Sequence, residues 1–227
     1  MQAFIQKLEA IDILLSKKQI QQFEDYYRLL VEWNQKVNLT AITSYDEVLM
    51  KHFYDSIMMG QIITLNDQKI LDVGSGAGFP SIPLKIVYPN LDVTIIDALN
   101  KRITFLKTLT KELGLEARLI HGRAESFKEK ATYDIVTARA VANLQMLSEL
   151  CIPFVKKDGA FIVLKGPKFE DELAQSQKAF DILGVTETKR YSYRLLDAEH
   201  ILIQFKKVKE TPDKYPRRFK KIKSNPL

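Results

Sequence analysis

The sequence of 227 residues is poor in cysteine and histidine and has no long apolar run. Its one cysteine, Cys151, excludes an intrachain disulfide and is expected to be a packed core thiol, while the three histidines are too scattered to suggest a metal site. Lys7, Glu9 and Asp12 interrupt the apolar pattern at the start of the chain, which therefore lacks the core of a signal peptide. No segment approaches transmembrane length. These absences favour a cytoplasmic protein that binds neither a metal nor a membrane.

Positive charge is present, but it is concentrated at the end of the chain. The net charge is +6, from 34 Lys and Arg against 28 Asp and Glu. Nine of these basic residues and two of the acidic ones lie between Lys206 and Leu227, so this segment carries +7 and the rest of the chain carries −1. A basic segment on a nearly neutral body is suited to holding a polyanion close to a site that is not itself basic.

Three helices are predicted before position 60. Apolar residues at helical spacing from Phe4 to Leu15 indicate the first helix. Ser16 with Gln19, and Ser44 with Glu47, have the spacing of capping boxes, which predict that two further helices begin after these serines. The three helices would form a small bundle or a lid on the main domain.

After position 60 the sequence alternates between short β-rich runs and amphipathic helices, which is typical of a parallel, doubly wound sheet. A helix predicted from Glu170 to Leu183 is followed by two runs, Val185–Leu195 and His200–Val208, that are close enough to pair as an antiparallel hairpin at the sheet edge. The five runs predicted as parallel strands are KILDV (69–73), DVTIID (92–97), ARLIHG (117–122), YDIVTAR (133–139) and AFIVLK (160–165).

These elements predict an α/β fold with about seven strands, mostly parallel with a C-terminal antiparallel hairpin, plus an N-terminal helical extension. This arrangement resembles the Rossmann-like fold of class I methyltransferases. The predicted parts are the helical extension (1–60), a cofactor-binding core (61–207) and a basic C-terminal tail (208–227).

The stretch DVGSGAGFP joins a predicted strand to a predicted helix through a turn with three glycines, Gly74, Gly76 and Gly78. Such a turn presents backbone N–H groups and a positive helix end to a ligand. A dinucleotide site is disfavoured because the third glycine falls one residue early and Phe79 occupies its place, and the Gly-Lys-Ser/Thr of a phosphate loop is absent. The pattern Asp-x-Gly-x-Gly-x-Gly instead resembles the first motif of S-adenosylmethionine-dependent methyltransferases, although a purely structural turn stays open.

Three later strand ends add candidate cofactor contacts. Asp97 ends the second strand, nineteen residues after Gly78, where an acidic side chain can bind ribose hydroxyls or cap a helix. Ala124 and Glu125 follow the third strand, where methyltransferases usually contact adenine, although Glu125 is equally explained as a carboxylate at a helix N-terminus. Arg139 follows the fourth strand at the edge where cofactor and substrate meet; the alternative is an exposed arginine with no role there.

Six phrases, taken in order, make the sequence resemble the bacterial RsmG (GidB) methyltransferases over nearly its whole length. They are WNQKVNLTAI (33–42), KHFYDS (51–56), DVGSGAGFPSIPLK (72–85), KRITFL (101–106), TARAV (137–141) and a closing YPRR…NPL (215–227). The resemblance implies S-adenosylmethionine-dependent methylation of guanine N7 in 16S ribosomal RNA, with that RNA or a small-subunit particle as the partner. By the same resemblance, the cofactor site is lined by Gly74, Phe79, Ala124, Glu125 and Arg139.

The sequence departs from that family at a few positions. The family usually has glycine where this chain has Ser81, and glycine and proline where the tail has Lys220 and Ile222. We expect a local packing change at Ser81 and little more, whereas the changes in the tail leave its path open. His52 and Asp55, in the second phrase, are expected to be packing or capping residues.

Guanine N7 carries an unshared electron pair and no proton, so methyl transfer to it requires alignment more than a general base. We therefore expect no general acid or base, and an orienting role on the cofactor side for Arg139. The tail is expected to bind RNA phosphates and bases, although composition alone also fits a solvated, disordered tail. The predicted RNA-binding residues are Lys214, Tyr215, Arg217, Arg218, Lys220, Lys221 and Lys223.

Other functions stay open at the level of the sequence. A methyltransferase acting on a small molecule or on another nucleic acid would share every cofactor residue, although the basic tail argues against a small substrate. A dinucleotide-dependent oxidoreductase is disfavoured by the glycine spacing. A noncatalytic RNA-binding module would bind RNA without transferring a methyl group.

Overall fold

The computed structural model describes residues 1–139, 143–166 and 169–227; Ala140 and Val141 of the TARAV phrase lie outside them. The strands in these residues are β1 (Lys69–Val73), β2 (Asp92–Asp97), β3 (Arg118–His121), β4 (Tyr133–Ala138), β5 (Val155–Lys165), β6 (Val185–Leu195) and β7 (Ala198–Lys207). They form one sheet in the order β3-β2-β1-β4-β5-β7-β6. Strands β1 to β5 are parallel, and β7 pairs antiparallel with both β5 and β6.

This sheet confirms the predicted α/β fold with its parallel core and terminal hairpin. The parallel strands are rich in apolar residues because helices cover both faces of the sheet. Four of the five residues of β1 and five of the six residues of β2 are buried. The difference from prediction is at β5, which begins at Val155, five residues before the AFIVLK run.

Helices cover the two faces of the sheet with two apolar clusters. One cluster joins the sheet to the N-terminal helices and to the helices that follow β1 and β2, and the other joins it to the helices that follow β4 and β5 and to the C-terminal tail. The helices of the described residues are α1 (Gln2–Glu9), α2 (Lys17–Val37), α3 (Tyr45–Glu47), α4 (Asp55–Ile57), α5 (Ser81–Val87), α6 (Asn100–Glu112), α7 (Leu144–Cys151), α8 (Phe169–Leu183) and α9 (Phe219–Ser224). A π-helical segment, Val48–Tyr54, joins α3 to α4, and 3₁₀ turns occupy Met58–Gln61, Ala124–Ser126 and Ile152–Phe154.

The first helix is shorter than its apolar spacing predicts. It ends at Glu9, because Asp12 adopts a left-handed backbone conformation with φ of +62°. The carbonyl of Leu8 instead accepts a hydrogen bond from Ile13 N at 2.9 Å, which closes a turn. The apolar residues beyond Glu9 therefore reach the core from this turn.

One of the two predicted capping boxes forms. Ser16 N donates to Gln19 Oε1 at 2.8 Å, and Gln19 N donates to Ser16 Oγ at 3.3 Å, as a capping box requires. The prediction of the second capping box is wrong, since the side chain of Ser44 makes no capping hydrogen bond. Its partner Glu47 instead forms an ion pair with Lys51, one turn further along the chain.

The basic tail is folded against the second apolar cluster. Tyr215 is buried, and Arg217 donates from Nε and Nη2 to the carboxylate of Glu149 at 2.7 and 2.6 Å. The backbone N–H of Arg217 donates to the same carboxylate at 2.9 Å, and Glu149 is completely buried. The expected contacts of Tyr215 and Arg217 with RNA therefore do not fit this structure. The other five predicted RNA-binding residues are exposed: Lys214, Arg218, Lys220, Lys221 and Lys223.

We predict that Arg217→Met destabilises the protein by about 3–5 kcal/mol, because it leaves the buried carboxylate of Glu149 without its charge partner. Urea unfolding monitored by circular dichroism measures the change. The matched control is the double variant Glu149→Gln/Arg217→Met, which removes both charges and keeps an acceptor for the backbone N–H. It should recover more than half of the loss; equal losses in the single and double variants would contradict this account.

Asp72, near the end of β1, is a completely buried carboxyl group that reaches the start of α5. Its Oδ2 accepts hydrogen bonds from Ser81 Oγ at 2.6 Å and from Ser81 N at 3.3 Å, so Ser81 does more than change local packing. Oδ1 has no partner among the described residues. Burial raises the pKa of Asp72 to about 7, although the hydrogen bonds from Ser81 act in the opposite direction.

We predict that Asp72→Asn changes how stability depends on pH. The unfolded chain releases the Asp72 proton near pH 3.8, whereas the folded chain keeps it to about pH 7. The stabilising contribution of wild-type Asp72 is therefore fully present below pH 4 and is lost as the pH rises to 7, by about 4 kcal/mol at most. Relative to the wild type, the variant should gain stability over this range, as measured by urea unfolding at several pH values; a constant difference would refute the raised pKa.

Candidate active site

The glycine turn lies at the carboxyl ends of β1 and β2 in a conformation that favours glycine. Gly74, Gly76 and Gly78 have φ values of 74°, 62° and 102°. Gly74 N donates to Ile96 O at 2.7 Å, which ties the turn to β2. A Cβ at Gly76 would meet no atom within 4 Å, whereas a Cβ at Gly78 would lie 2.8 Å from Tyr26 Oη. The turn therefore packs closely on one side and leaves open space on the other.

The N-terminal helices pack against this turn. Tyr26, on α2, donates from Oη to Ala77 O at 2.6 Å, and its ring stacks on Phe79 with 5.6 Å between centroids. Phe53 packs against Tyr26 at 4.8 Å. His52 stacks on Phe79 at 4.5 Å and 23°. Aromatic side chains from the helical extension therefore fix the position of the residue that follows the third glycine.

Asp97 is buried beside the turn and has more than one hydrogen bond. Its Oδ2 accepts from Gly76 N at 3.2 Å, and its Oδ1 accepts from Leu99 N at 2.8 Å at the start of α6. Arg102 approaches Oδ2 at 3.4 Å. Asp97 thus stabilises both the short turn that leads into α6 and the glycine turn.

A cavity of about 450 Å³, here called the first cavity, opens in front of the glycine turn. Its wall includes Ser75, whose buried Oγ has no hydrogen-bond partner within the part of the chain that the structure describes. A ligand that enters the open space beside Gly76 can form the hydrogen bond that this buried atom lacks. The expected cofactor S-adenosylmethionine fits these groups. The residues that line the first cavity include Thr40, His52, Gly76, Phe79, Asp97 and Arg139.

Arg139, which follows β4, is held by the π-helical segment. Its Nη2 donates to Lys51 O at 2.8 Å and to His52 Nδ1 at 2.9 Å. Because Nδ1 accepts, His52 is neutral and donates from Nε2 to Thr40 Oγ1 at 2.8 Å. Burial, with the nearby charge of Arg139, lowers the pKa of His52 to about 4, so the imidazole stays an acceptor at neutral pH. The Arg139 guanidinium also lies 5.4 Å from the ring centroid of Phe79.

Asp55, at the start of α4, connects Arg139 to the C-terminal hairpin. Its buried carboxylate accepts a hydrogen bond from Tyr193 Oη at 2.6 Å and lies 2.7 Å from His200 Nδ1. The other oxygen lies 3.6 Å from Arg139 Nη1. The expectation of a packing or capping role for His52 and Asp55 therefore missed their contacts with Arg139. The KHFYDS phrase contained both residues, but its partners are far away in sequence.

A second cavity, of about 610 Å³, lies on the other side of Arg139. Apolar residues of β4, β5 and the hairpin line it, together with polar groups from the helical extension, β5 and the hairpin. The lining includes Lys51, Asp55, Arg139, Lys165, Leu195 and His200. Since Arg139 lines both cavities, a ligand in one is adjacent to a ligand in the other.

Ala124 and Glu125 lie in a short 3₁₀ turn after β3, away from Arg139. They line a small cavity of about 180 Å³ that also includes Gly74 of the glycine turn. The structure therefore places these two residues beside the other expected cofactor residues but around a separate, mostly apolar space. Of the predicted cofactor residues, Gly74 lines both this small cavity and the first cavity.

Two features are absent from residues 1–139, 143–166 and 169–227. No helix there combines the length and apolar character needed to cross a membrane. No group of three or more His, Cys, Asp or Glu in the same residues has the geometry to hold a metal ion.

Two solved structures share the fold of this chain. A methyltransferase from Pyrococcus furiosus superimposes with a TM-score of 0.59 at 14% identity, covering 80% of this chain and 95% of that chain. TYW2 from M. jannaschii, solved in complex with AdoMet, gives a TM-score of 0.58 at 15% identity and covers 69% and 76%. At these identities the likeness establishes the fold.

Sequence relatives are much closer. The Ribosomal RNA small subunit methyltransferase G of Lactococcus lactis subsp. cremoris (strain MG1363) is 55% identical over 224 residues, covering 95% of this chain and 94% of the relative. The protein of the same name from Streptococcus gordonii is 49% identical over 234 residues, covering 100% and 99%. A family model described as GidB, rRNA small subunit methyltransferase G, matches residues 19–201. The chain therefore belongs to the rRNA small subunit methyltransferase G family.

Proposed function

We propose that this chain transfers the methyl group of S-adenosylmethionine to N7 of a guanine in 16S ribosomal RNA. The observation that carries the proposal is the position of Arg139 between the first cavity and the second cavity. A transferase needs two adjacent sites, one for the donor and one for the acceptor. The relatives' name, ribosomal RNA small subunit methyltransferase G, supports small-subunit ribosomal RNA as the acceptor.

The first cavity suits the donor. S-adenosylmethionine supplies an electrophilic methyl group when bound. The glycine turn allows close approach of the backbone, and Asp97 keeps acceptor capacity beyond the bonds it already makes. Arg139 borders the same cavity, where it orients the cofactor without exchanging a proton. The nearby Asp55 carboxylate offsets its positive charge, which limits repulsion of a sulfonium.

The second cavity suits an acceptor base that needs no deprotonation. Guanine N7 has an unshared pair and no proton, so none of the chain's carboxylates has to act as a base. Asp55 is already surrounded by Tyr193, His200 and Arg139. Its role is to hold these groups in place. A base inserted from a folded RNA would first have to leave its stack.

RNA binding is assigned to the exposed cations of the tail. Arg218, Lys220, Lys221 and Lys223 lie on or next to α9, and Lys214 precedes them. Arg123 adds a further cation close to α9, since its guanidinium lies 5.6 Å from the ring centroid of Phe219. Phosphates along a single strand can contact such a group of cations without sequence specificity.

The first test is methyl transfer itself. We expect the purified chain, incubated with methyl-labelled S-adenosylmethionine and unmethylated small-subunit particles or 16S RNA, to label a single guanine. Mapping of the labelled nucleotide identifies the position, and comparison of particle with free RNA identifies the preferred form of the substrate. The matched control is RNA transcribed with 7-deazaguanosine, which lacks N7 and should accept no label.

The outcomes separate the parts of the proposal. Label in 7-deaza RNA would overturn N7 while leaving RNA as the acceptor. Cofactor binding with no labelled RNA would overturn the substrate and return the choice to a small molecule. RNA binding without any methyl transfer would favour a noncatalytic module.

A second test of the proposed function concerns the basic tail. Replacing Lys220, Lys221 and Lys223 with alanine should weaken RNA binding and reduce the slope of log affinity against log salt by up to about 2, from about 0.7 for each lost phosphate contact. The matched control replaces the exposed Lys17, Lys18 and Lys178 with alanine, which removes the same charge elsewhere. A fluorescence-anisotropy titration at several salt concentrations gives the slopes. Equal slopes in the two triple variants would contradict RNA binding by the tail.

A further inference from the structure

The small cavity beside Glu125 has a wall that comes from the far end of the chain. Its other residues lie at or just after the carboxyl ends of β1, β2 and β3 or belong to α7, whereas Phe219 is the first residue of α9 in the basic tail. The cavity, of about 180 Å³, is bordered largely by apolar groups, with Ile96, Leu150 and Phe219 as the large side chains. It also shares Gly74 with the first cavity. A flat, apolar group that extends from the first cavity would enter this space.

Several contacts hold Phe219 at the cavity. Arg123, which also lines the cavity, has its guanidinium 5.6 Å from the Phe219 ring centroid, within the range of a cation–π contact. Ile222, one turn later, is completely buried. On the other side, Arg217 is fixed to the buried Glu149, the residue before Leu150 of the cavity wall. The tail is thus anchored both before and after Phe219.

We propose that Phe219 forms the outer wall of the site for the adenine ring of S-adenosylmethionine, so that the tail binds the cofactor as well as RNA. This inference rests on the proposed function, which places the rest of the cofactor in the first cavity. An aromatic ring offers an apolar face to a purine, and Glu125 at the same cavity can accept a hydrogen bond from an exocyclic amino group.

Cofactor binding at Phe219 and RNA binding by the tail would be coupled through this segment. Arg218 and Lys220, the neighbours of Phe219, are exposed cations. RNA phosphates that contact these two cations restrict the motion of the segment that contains Phe219. Because coupling between two binding sites is reciprocal, RNA that strengthens cofactor binding must itself be bound more tightly when the cofactor is present.

The alternative is that Phe219 only anchors the tail to the apolar core. The two roles differ in what replaces the ring. Phe219→Leu keeps an apolar anchor without an aromatic face, Phe219→Tyr keeps the aromatic face, and Phe219→Ala removes both. An anchor alone predicts that ligand affinity is the same in the wild type and in all three variants wherever the tail stays folded.

The test measures binding of S-adenosylhomocysteine and 5′-methylthioadenosine by isothermal titration calorimetry. Both ligands contain the adenine ring. We expect Phe219→Ala to weaken both by about 10-fold, Phe219→Tyr to bind as the wild type does, and Phe219→Leu to fall between them. Thermal unfolding without ligand verifies that each variant is folded. Equal affinities in the wild type and Phe219→Ala overturn the adenine wall.

A second readout does not depend on affinity. Trypsin cleaves after Lys and Arg, and Arg218, Lys220, Lys221 and Lys223 are exposed. The rate of cleavage at these residues therefore measures how readily the tail opens. We expect S-adenosylhomocysteine to slow cleavage there in the wild type and to have no such effect in Phe219→Ala. If the ligand does not change the cleavage rate of the wild type, the inference is overturned. Failure of the wild type to bind either ligand would instead overturn the cofactor assignment of the proposed function.

Discussion

The guanidinium of Arg139 is the contact on which the arrangement of the two larger cavities depends. It follows the central strand β4, but its hydrogen bonds go to the carbonyl of Lys51 and to both the carbonyl and the ring of His52. A π-helical segment is a departure from regular α-helix that often occurs at functional sites. Here that segment supplies the acceptors, and the lowered pKa of His52 keeps the ring in its accepting form. The helical extension therefore completes the site that the sheet begins.

Asp55 extends this dependence to the opposite end of the fold. Its carboxylate joins Arg139 to Tyr193 and His200, which lie on the two strands of the terminal hairpin. A buried carboxylate with charged and neutral donors around it is favourable only while all of them stay in place. The hairpin at the sheet edge consequently fixes Arg139, the residue that follows the central strand. The site around Arg139 in this chain therefore depends on both the N-terminal helices and the antiparallel hairpin.

The sequence predicted what is encoded locally and missed what depends on distant contacts. Some features depend only on a few neighbouring residues, and the structure contains them. They are the alternation of strands and helices, the glycine turn and the Ser16 capping box. Asp12 interrupts the first helix because a single left-handed residue outweighs apolar spacing. Arg139 was placed at the right strand end, but its partner His52 is 87 residues away, so no local pattern joins them.

Charge alone could not assign the tail, because burial decides which cations remain available to RNA. Lys207 donates to the carbonyls of Ile152 and Leu183, and burial lowers its pKa to about 8. Arg217 is engaged differently, in an ion pair with the carboxylate of Glu149, at the point where the tail meets α7. This anchor occupies the guanidinium of Arg217, and it also fixes where the following residues lie. The exposed cations beyond it are thereby held beside the small cavity, so the proposed adenine wall and the proposed RNA contacts belong to one short segment.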